Sequence, residues 1–342
     1  MSSPVGVPDL LSHLRMGKSQ QAARQAFDRA SLELATGEKS DRFAASGGDT
    51  TKLDAIERSI SRIDTRQPLL ALAGGRAGAA QNALGAVAEA VDTIGVDLMN
   101  TVETIRSGSL DIVIGEADAA LRQTISALNT SFGGRFLFSG GDVDKPPFPD
   151  QMGQPFADAL IDAIQTAVAN EAPTDADGVQ SAIDDFFAGT DWADMINGEG
   201  AGSKSAPVEL RDGVRIDYAV KADAEPIIAL IRNLATVVAA GDLELPEAEK
   251  QNLYRDSGEA LIGAVSRLAD MRGRLGVSES AIEKAQAADA AERSALEQAR
   301  AKIVARDPYD AATEVAQLET QLQSIYAMTA RSAQLSLVNF LR

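Results

Sequence analysis

DPYDAATEVAQLETQLQSIYAMTARSAQLSLVNFLR, residues 307–342, closes the chain with a helix start followed by an apolar stripe. Asp307 can accept hydrogen bonds from first-turn amides, Pro308 suits the first helical position and Asp310 complements the helix dipole, so a helix is predicted to begin here. Val315, Leu318, Leu322 and Ile325 then follow in steps of three and four, the spacing of one narrow stripe along a helix face. Leu335, Leu337, Val338, Phe340 and Leu341 close the chain, and only four charges, two of each sign, lie between Glu314 and Arg342. A chain end this apolar is seldom left bare in water.

The opposite end is built in the same way. Leu10, Leu11 and Leu14 form one small apolar group, and Ala23, Phe27, Ala30 and Leu34 form a second. A helix of about 25 residues with so little apolar area is marginal alone. Both ends therefore read as half-interfaces, to be completed by the other terminus, by further copies, or by both. The residues expected to carry the assembly interface are Leu11, Leu14, Phe27, Leu34, Leu318, Leu322, Ile325, Leu337 and Leu341. Before assembly the ends are expected to be loosely ordered, so that proteolysis leaves a core beginning near residue 40.

Inward from the ends the stripes continue. Leu53, Ile56, Ile60 and Ile63 keep helical spacing, as do Leu84, Val87, Val91, Ile94, Leu98, Val102 and Ile105. Pro68 and Gly74-Gly75 predict a kink or weak joint, and Ser107-Gly108 a stop. Ala117, Leu121, Ile125 and Leu128 predict a further short helix. On the C-terminal side Leu261, Val265 and Leu268 begin a seam that leads toward Ile282 and Ile303.

The centre reads differently. The net charge is −18, of which −12 falls on residues 142–200, where Lys145 faces 13 acidic side chains. Strand signals lie at Arg135 to Phe138 and at Val208–Leu210 and Val214–Tyr218, the latter two flanking an Asp212-Gly213 hairpin turn. Ile227 to Val238 returns to helix. The expected fold is mainly α, a long antiparallel helical bundle or coiled coil built from both termini, with a small inserted α+β domain. Residues 1–40 with 308–342 form the terminal coiled-coil polymerisation region, 41–140 with 222–307 a helical rod, and 141–221 the acidic insert.

Composition narrows the chemistry. At 342 residues the chain is longer than one core usually supports. Its apolar share of 45 % is too high for a disordered chain, and 4 % aromatics favours thin helix seams over a thick core. The acidic balance argues against nucleic-acid binding. No cysteine and a single histidine, His13, exclude thiolate chemistry and His-rich zinc sites. No apolar run approaches the 18 or so residues of a membrane span, and no cleavable leader is recognisable.

The remaining motifs have plain structural readings. Gly17-Lys18-Ser19 lacks the upstream glycine and strand of a phosphate loop. Asp175-Ala176-Asp177-Gly178 lacks the ligands of a calcium loop and reads as a turn before a helix over 179–187. Asp184 and Asp185 are neighbours that diverge on a helix. Gly74-Gly75-Arg76-Ala77-Gly78 gives close helix approach or flexibility, Trp192 anchors a small core in the insert, and His13 sits among interface leucines. No catalytic constellation, cofactor site or metal site is expected.

Several segments together resemble a known family. Ala30-Ser31-Leu32-Glu33-Leu34-Ala35-Thr36-Gly37-Glu38-Lys39 is similar to a stretch near the N-terminus of bacterial flagellins and hook-associated proteins. Gly134-Arg135-Phe136-Leu137-Phe138-Ser139-Gly140, with Pro146-Pro147-Phe148, resembles a signature of the branch that joins hook to filament. Arg272-Gly273-Arg274-Leu275-Gly276 and Leu335-Ser336-Leu337-Val338-Asn339-Phe340-Leu341 resemble segments of the same family. The matches keep the family's order over 1–148 and 222–342. One segment departs: Ser46-Gly47-Gly48-Asp49-Thr50 stands where the family has Asp-Asp-Pro.

The resemblance implies a non-enzymatic structural component of the bacterial flagellum that self-assembles helically. It implies a hook-associated protein on the hook side, flagellin on the filament side, an export chaperone, and an extracellular location reached without a cleaved signal peptide. Membrane insertion is not implied. Flagellin proper is the nearest alternative; a secreted enzyme housed in the acidic insert and an intracellular coiled-coil scaffold are the others.

Overall fold

The computed structural model describes residues 7–104, 107–197, 207–211 and 213–340, with side chains described for 14–102, 109–197, 207–211 and 213–331. In chain order the elements are α1 (Val7–Thr36), α2 (Arg42–Ala45), α3 (Thr51–Val91), α4 (Ile94–Thr104), α5 (Ser107–Leu128), β1 (Ser131–Phe132) and β2 (Arg135–Phe136). Then come α6 (Phe156–Glu171), α7 (Ala176–Ala188), α8 (Thr190–Met195), β3 (Val208–Arg211), β4 (Val214–Ile216), α9 (Glu225–Ala240), α10 (Glu247–Val304) and α11 (Pro308–Phe340). The protein is mainly α, with long helices and, among the described residues, two small two-stranded antiparallel sheets. It divides into two compact units, residues 1–65 with 289–342 and residues 66–288. α3 and α10 each run through a boundary of these units without a break.

In the first unit α1 packs along α11. The end of α1 abuts the segment before α11, where Glu38 and Ala305 form an antiparallel bridge, so the two helices run in opposite directions. Asp307 caps α11 as expected: its Oδ1 accepts from the amides of Tyr309 at 2.8 Å and Asp310 at 3.3 Å. Leu53, Ile56 and Ile63 are buried on α3.

Among the described residues the second unit has a large apolar core and a smaller buried cluster around Leu70 and Ile282. Leu84, Val87, Val91, Ile94 and Leu98 are buried in the same cluster as Leu121, Leu128, Leu261 and Leu268. The seam therefore continues although Asp92 and Thr93 separate α3 from α4. Ala117, Leu121, Ile125 and Leu128 lie buried on α5, which packs on α9. The helices of the acidic stretch join this core rather than making their own: Phe156, Leu160 and Ile164 of α6 and Val179, Ile183 and Phe186 of α7 belong to the same cluster, and α6 packs on α9. Their carboxylates stay outside because each helix keeps one apolar face.

α3 is one helical element through Pro68 and Gly74-Gly75, with no stop at either place. Leu70 and Ala73, just beyond Pro68, pack with Ile282 and Ala285 in a small buried cluster. A methyl on Gly74 would meet Gln286 and Ile282, and one on Gly75 would stand 2.8 Å from the Phe132 ring, so both permit close approach.

The Gly-Arg-Phe-Leu-Phe-Ser-Gly segment is structural. Gly133 and Gly134 take φ of +62° and +77° to turn β1 into β2, and Phe138 is buried. Asn129 then clamps Phe148: its Nδ2 donates to the Phe148 carbonyl at 2.7 Å while its Oδ1 accepts the Phe148 amide at 3.0 Å. This seats Phe148 against Phe156 and Trp192, with ring centroids 5.0 and 6.3 Å away. Trp192 is thus an anchor, though of the shared core.

Candidate assembly surface

The two terminal helices meet along complementary stripes. On α11 the less exposed positions are Ala311, Val315, Leu318, Leu322 and Ile325, in steps of four and three. On α1 they are Met16, Gln20, Ala23, Phe27 and Ala30. Each stripe faces the other helix, the geometry of a two-stranded seam. The seam is thin. Ala23, Ala30, Ala311 and Leu322 are buried, while Phe27, Leu318 and Ile325 stay half-buried.

The expected interface residues therefore divide. Phe27, Leu318, Leu322 and Ile325 come together between the helices of one chain. Leu14, 57 % exposed, points away from that seam, and Leu34, 39 % exposed, lies at the end of α1. Leu11 and Leu337 lie on α1 and α11, but their side chains fall outside the described residues, as does Leu341 altogether. Sequence reasoning missed Leu32, which is 56 % exposed and shares the outward face of α1 with Leu14, Lys18, Gln21, Gln25 and Asp28. The signal was present: residues 14, 18, 21, 25, 28 and 32 repeat at helical spacing. Tyr309, Tyr326 and Met328 are exposed on α11.

At the root of the pair the chain makes an elbow. Gly37 ends α1 with φ of +70°, a conformation costly for any residue with a Cβ, and its amide donates to the Glu33 carbonyl at 2.8 Å. Two backbone hydrogen bonds then tie the crossing segments, Lys39 N to Val304 O at 2.7 Å and Arg306 N to Gly37 O at 2.9 Å. Charged side chains gather around this bridge. Arg300 donates to both carboxylate oxygens of Glu38 at 2.5 and 2.8 Å and through Nε to Glu57 at 3.3 Å. Arg42 donates to the other oxygen of Glu57 at 3.1 Å. Arg306 pairs with Glu314 and stands 3.6 Å from Glu33, which also accepts from the Ser40 amide at 2.9 Å and hydroxyl at 2.6 Å.

The acids respond to this setting. Hydrogen bonding from Arg300 holds the Glu38 carboxyl below the ordinary range. Burial pushes the Glu33 carboxyl up, but the Ser40 hydrogen bonds and the charges of Arg306 and Arg29 outweigh it and leave the group lowered.

The remaining motifs of the sequence take structural places. Gly17-Lys18-Ser19 lies inside α1, so its amides belong to a helix rather than a phosphate cradle. Asp175 caps α7 by accepting the Gly178 amide at 2.9 Å, and the helix begins at Ala176, three residues before the expected start. Asp184 accepts from Arg232 at 2.8 Å, an ion pair and not half of a carboxylate dyad. The side chain of His13 lies outside the described residues. Among the described residues no group of three or more His, Cys, Asp or Glu could hold a metal ion, and no helix is long and apolar enough to cross a membrane.

With this geometry in place, comparison with known proteins is informative. Residues 259–341, the later part of α10 with α11, match the family model of the bacterial flagellin C-terminal helical region. This segment is flagellin-like. Its fold is similar to that of a candidate flagellar hook-associated protein from Vibrio parahaemolyticus, with a TM-score of 0.50 and 15 % identity over 73 % of this chain and 94 % of that one. At that identity the likeness is one of fold. No curated protein matches the sequence. The flagellin-like C-terminal segment thus supplies α11, one side of the terminal seam, and Arg300 and Arg306 of the elbow.

Proposed function

We propose that this chain is a structural component of the bacterial flagellum, an adaptor that joins a hook-associated protein to the filament by helical self-assembly. The observation that carries the reading is the terminal pair: one flagellin-like helix and its antiparallel partner close only a thin seam and leave Leu14, Leu32, Tyr326 and Met328 in water. Burying such side chains against further copies contributes about 25 cal/mol per Å² of apolar area. In this reading residues 1–40 with 308–342 polymerise, 41–140 with 222–307 form the rod, and 141–221 are an acidic insert packed on it. Leu11, Leu337 and Leu341 extend the same interface. The chain works outside the cell, is exported with its N-terminus intact and is escorted by an export chaperone.

Support for the adaptor branch comes from the buried Phe138 and Phe148 of the Gly-Arg-Phe-Leu-Phe-Ser-Gly and Pro-Pro-Phe segments, which resemble that branch. Deletion of the chain followed by motility assays and electron microscopy tests the reading. Hooks without filaments are expected, and normal swimming refutes it. The flagellin match over 259–341 also suits a filament subunit. Seeding separates the two, since a filament subunit extends indefinitely while an adaptor stops after few copies.

A further inference from the structure

The charged groups of the elbow fall into two clusters that share no residue. In one, Arg300 on α10 holds Glu38 of the first crossing segment and Glu57 of α3, and Glu57 in turn holds Arg42 of α2. In the other, Arg306 of the second crossing segment reaches Glu33 on α1 and Glu314 on α11, and Ser40 completes Glu33. None of the four groups in the first cluster is on α1 or α11, whereas the second cluster links those two helices. Between the clusters lie the two backbone hydrogen bonds of the Glu38–Ala305 bridge. A bridge of two bonds fixes a separation but permits twisting. The fork of a guanidinium on both oxygens of one carboxylate fixes a direction as well.

We propose that Arg300 is a positioning residue for assembly, setting the direction in which the terminal helix pair leaves the elbow, while Arg306 has the separate task of holding the roots of α1 and α11 together. The proposal rests on the assembly reading for its consequence and on the elbow geometry for its substance. An assembling subunit must present its outward leucines at one angle, and Arg300 restricts that angle without touching the assembling helices. Lysine in its place would keep the charge and lose the fork.

The test uses the full chain, with backbone hydrogen exchange resolved to single residues in dilute solution. Arg300→Gln is expected to speed exchange of the Lys39 and Arg306 amides about tenfold, the scale of a charge-assisted forked contact, with the α11 amides of residues 311–318 at their parent rates. Arg300→Lys is expected to behave like Arg300→Gln. Arg306→Gln is expected to speed exchange over 311–318. Glu38→Gln is expected to speed the Lys39 amide as Arg300→Gln does, and the double variant no further, whereas a general loss of structure would add. Unchanged protection at Lys39 in Arg300→Gln overturns the proposal, as does parent-like behaviour of Arg300→Lys or equal loosening of 311–318 by Arg300→Gln and Arg306→Gln. These rates judge the elbow whether or not the parent chain assembles; failure of the parent to assemble with hook and filament proteins refutes the proposed function alone.

Discussion

Substituting Gly95 by alanine tests how closely α4 lies on α10. A methyl carbon at Gly95 would stand 2.8 Å from the carbonyl oxygen of Gly258, 2.9 Å from Cγ1 of Ile262 and 3.3 Å from its amide nitrogen. Two of these three atoms are backbone, which cannot rotate aside as a side chain does. Gly258 is equally crowded, since its own methyl would meet the Gly95 carbonyl at 3.0 Å and Met99 at 3.2 Å. The helices must therefore separate to admit the group, and overpacking of this kind costs about 1–3 kcal/mol. Better helix propensity returns at most about 1 kcal/mol. Each kcal/mol moves the midpoint of a unit this size by about 2–4 °C, so Gly95→Ala is expected to lower the melting temperature by several degrees. Gly273→Ala is the control: it lies on the same α10 with nothing within 4 Å of the added methyl, and is expected to raise stability by about 0.5–1 kcal/mol. Circular dichroism melts of the two variants and the parent decide the matter. A Gly95→Ala variant as stable as Gly273→Ala would refute the close crossing.

Further expectations follow from other parts of the molecule. Gly37→Ala forces a side chain into φ of +70° where space is open, so unit 1 should lose about 1–2 kcal/mol from backbone strain alone, measured by protease susceptibility at residues 36–41. Glu33 and Glu38 have lowered folded pKa values, so their stabilisation is complete above the ordinary carboxylate value of 4.5 and is lost as pH falls through the lowered values. An acid titration followed by proteolysis should loosen the elbow below that pH, and Glu33→Gln with Glu38→Gln should flatten the response. Asn129→Ala leaves the amide and carbonyl of Phe148 without their side-chain partner and should cost about 1–3 kcal/mol, read from Trp192 fluorescence during unfolding.

What was legible in the sequence was chiefly local. The cap at Asp307, the hairpin across Gly213 and the cap at Asp175 each depend on a few adjacent residues, and they form where those residues stand. The stripe from Val315 to Ile325 was equally plain, because helical spacing is a short-range property. At Pro68 the local signal was for an interruption, while the residues that pack just beyond it, Ile282 and Ala285, stand more than 200 positions away and leave no local sign. That the acidic helices share an apolar cluster with their neighbours was not legible, because charge marks the solvated face of a helix and says nothing of what the other face covers. At the elbow, Arg300 and Glu38 stand 262 positions apart, and neither carries a local sign of the other. Leu34 was favoured over Leu32 by its spacing from Phe27, yet Leu32 lies on the outward face.

In the proposed function, further copies complete the outward face of the terminal pair. The double variant Leu14→Lys with Leu32→Lys places charge on that face at two side chains 57 % and 56 % exposed, so the isolated chain should melt like its parent. Burying a leucine contributes about 1.5–3 kcal/mol, so losing two should raise the critical concentration for assembly by at least about tenfold, measured by sedimentation with hook and filament proteins. Assembly of the double variant at the parent's concentration would contradict the account.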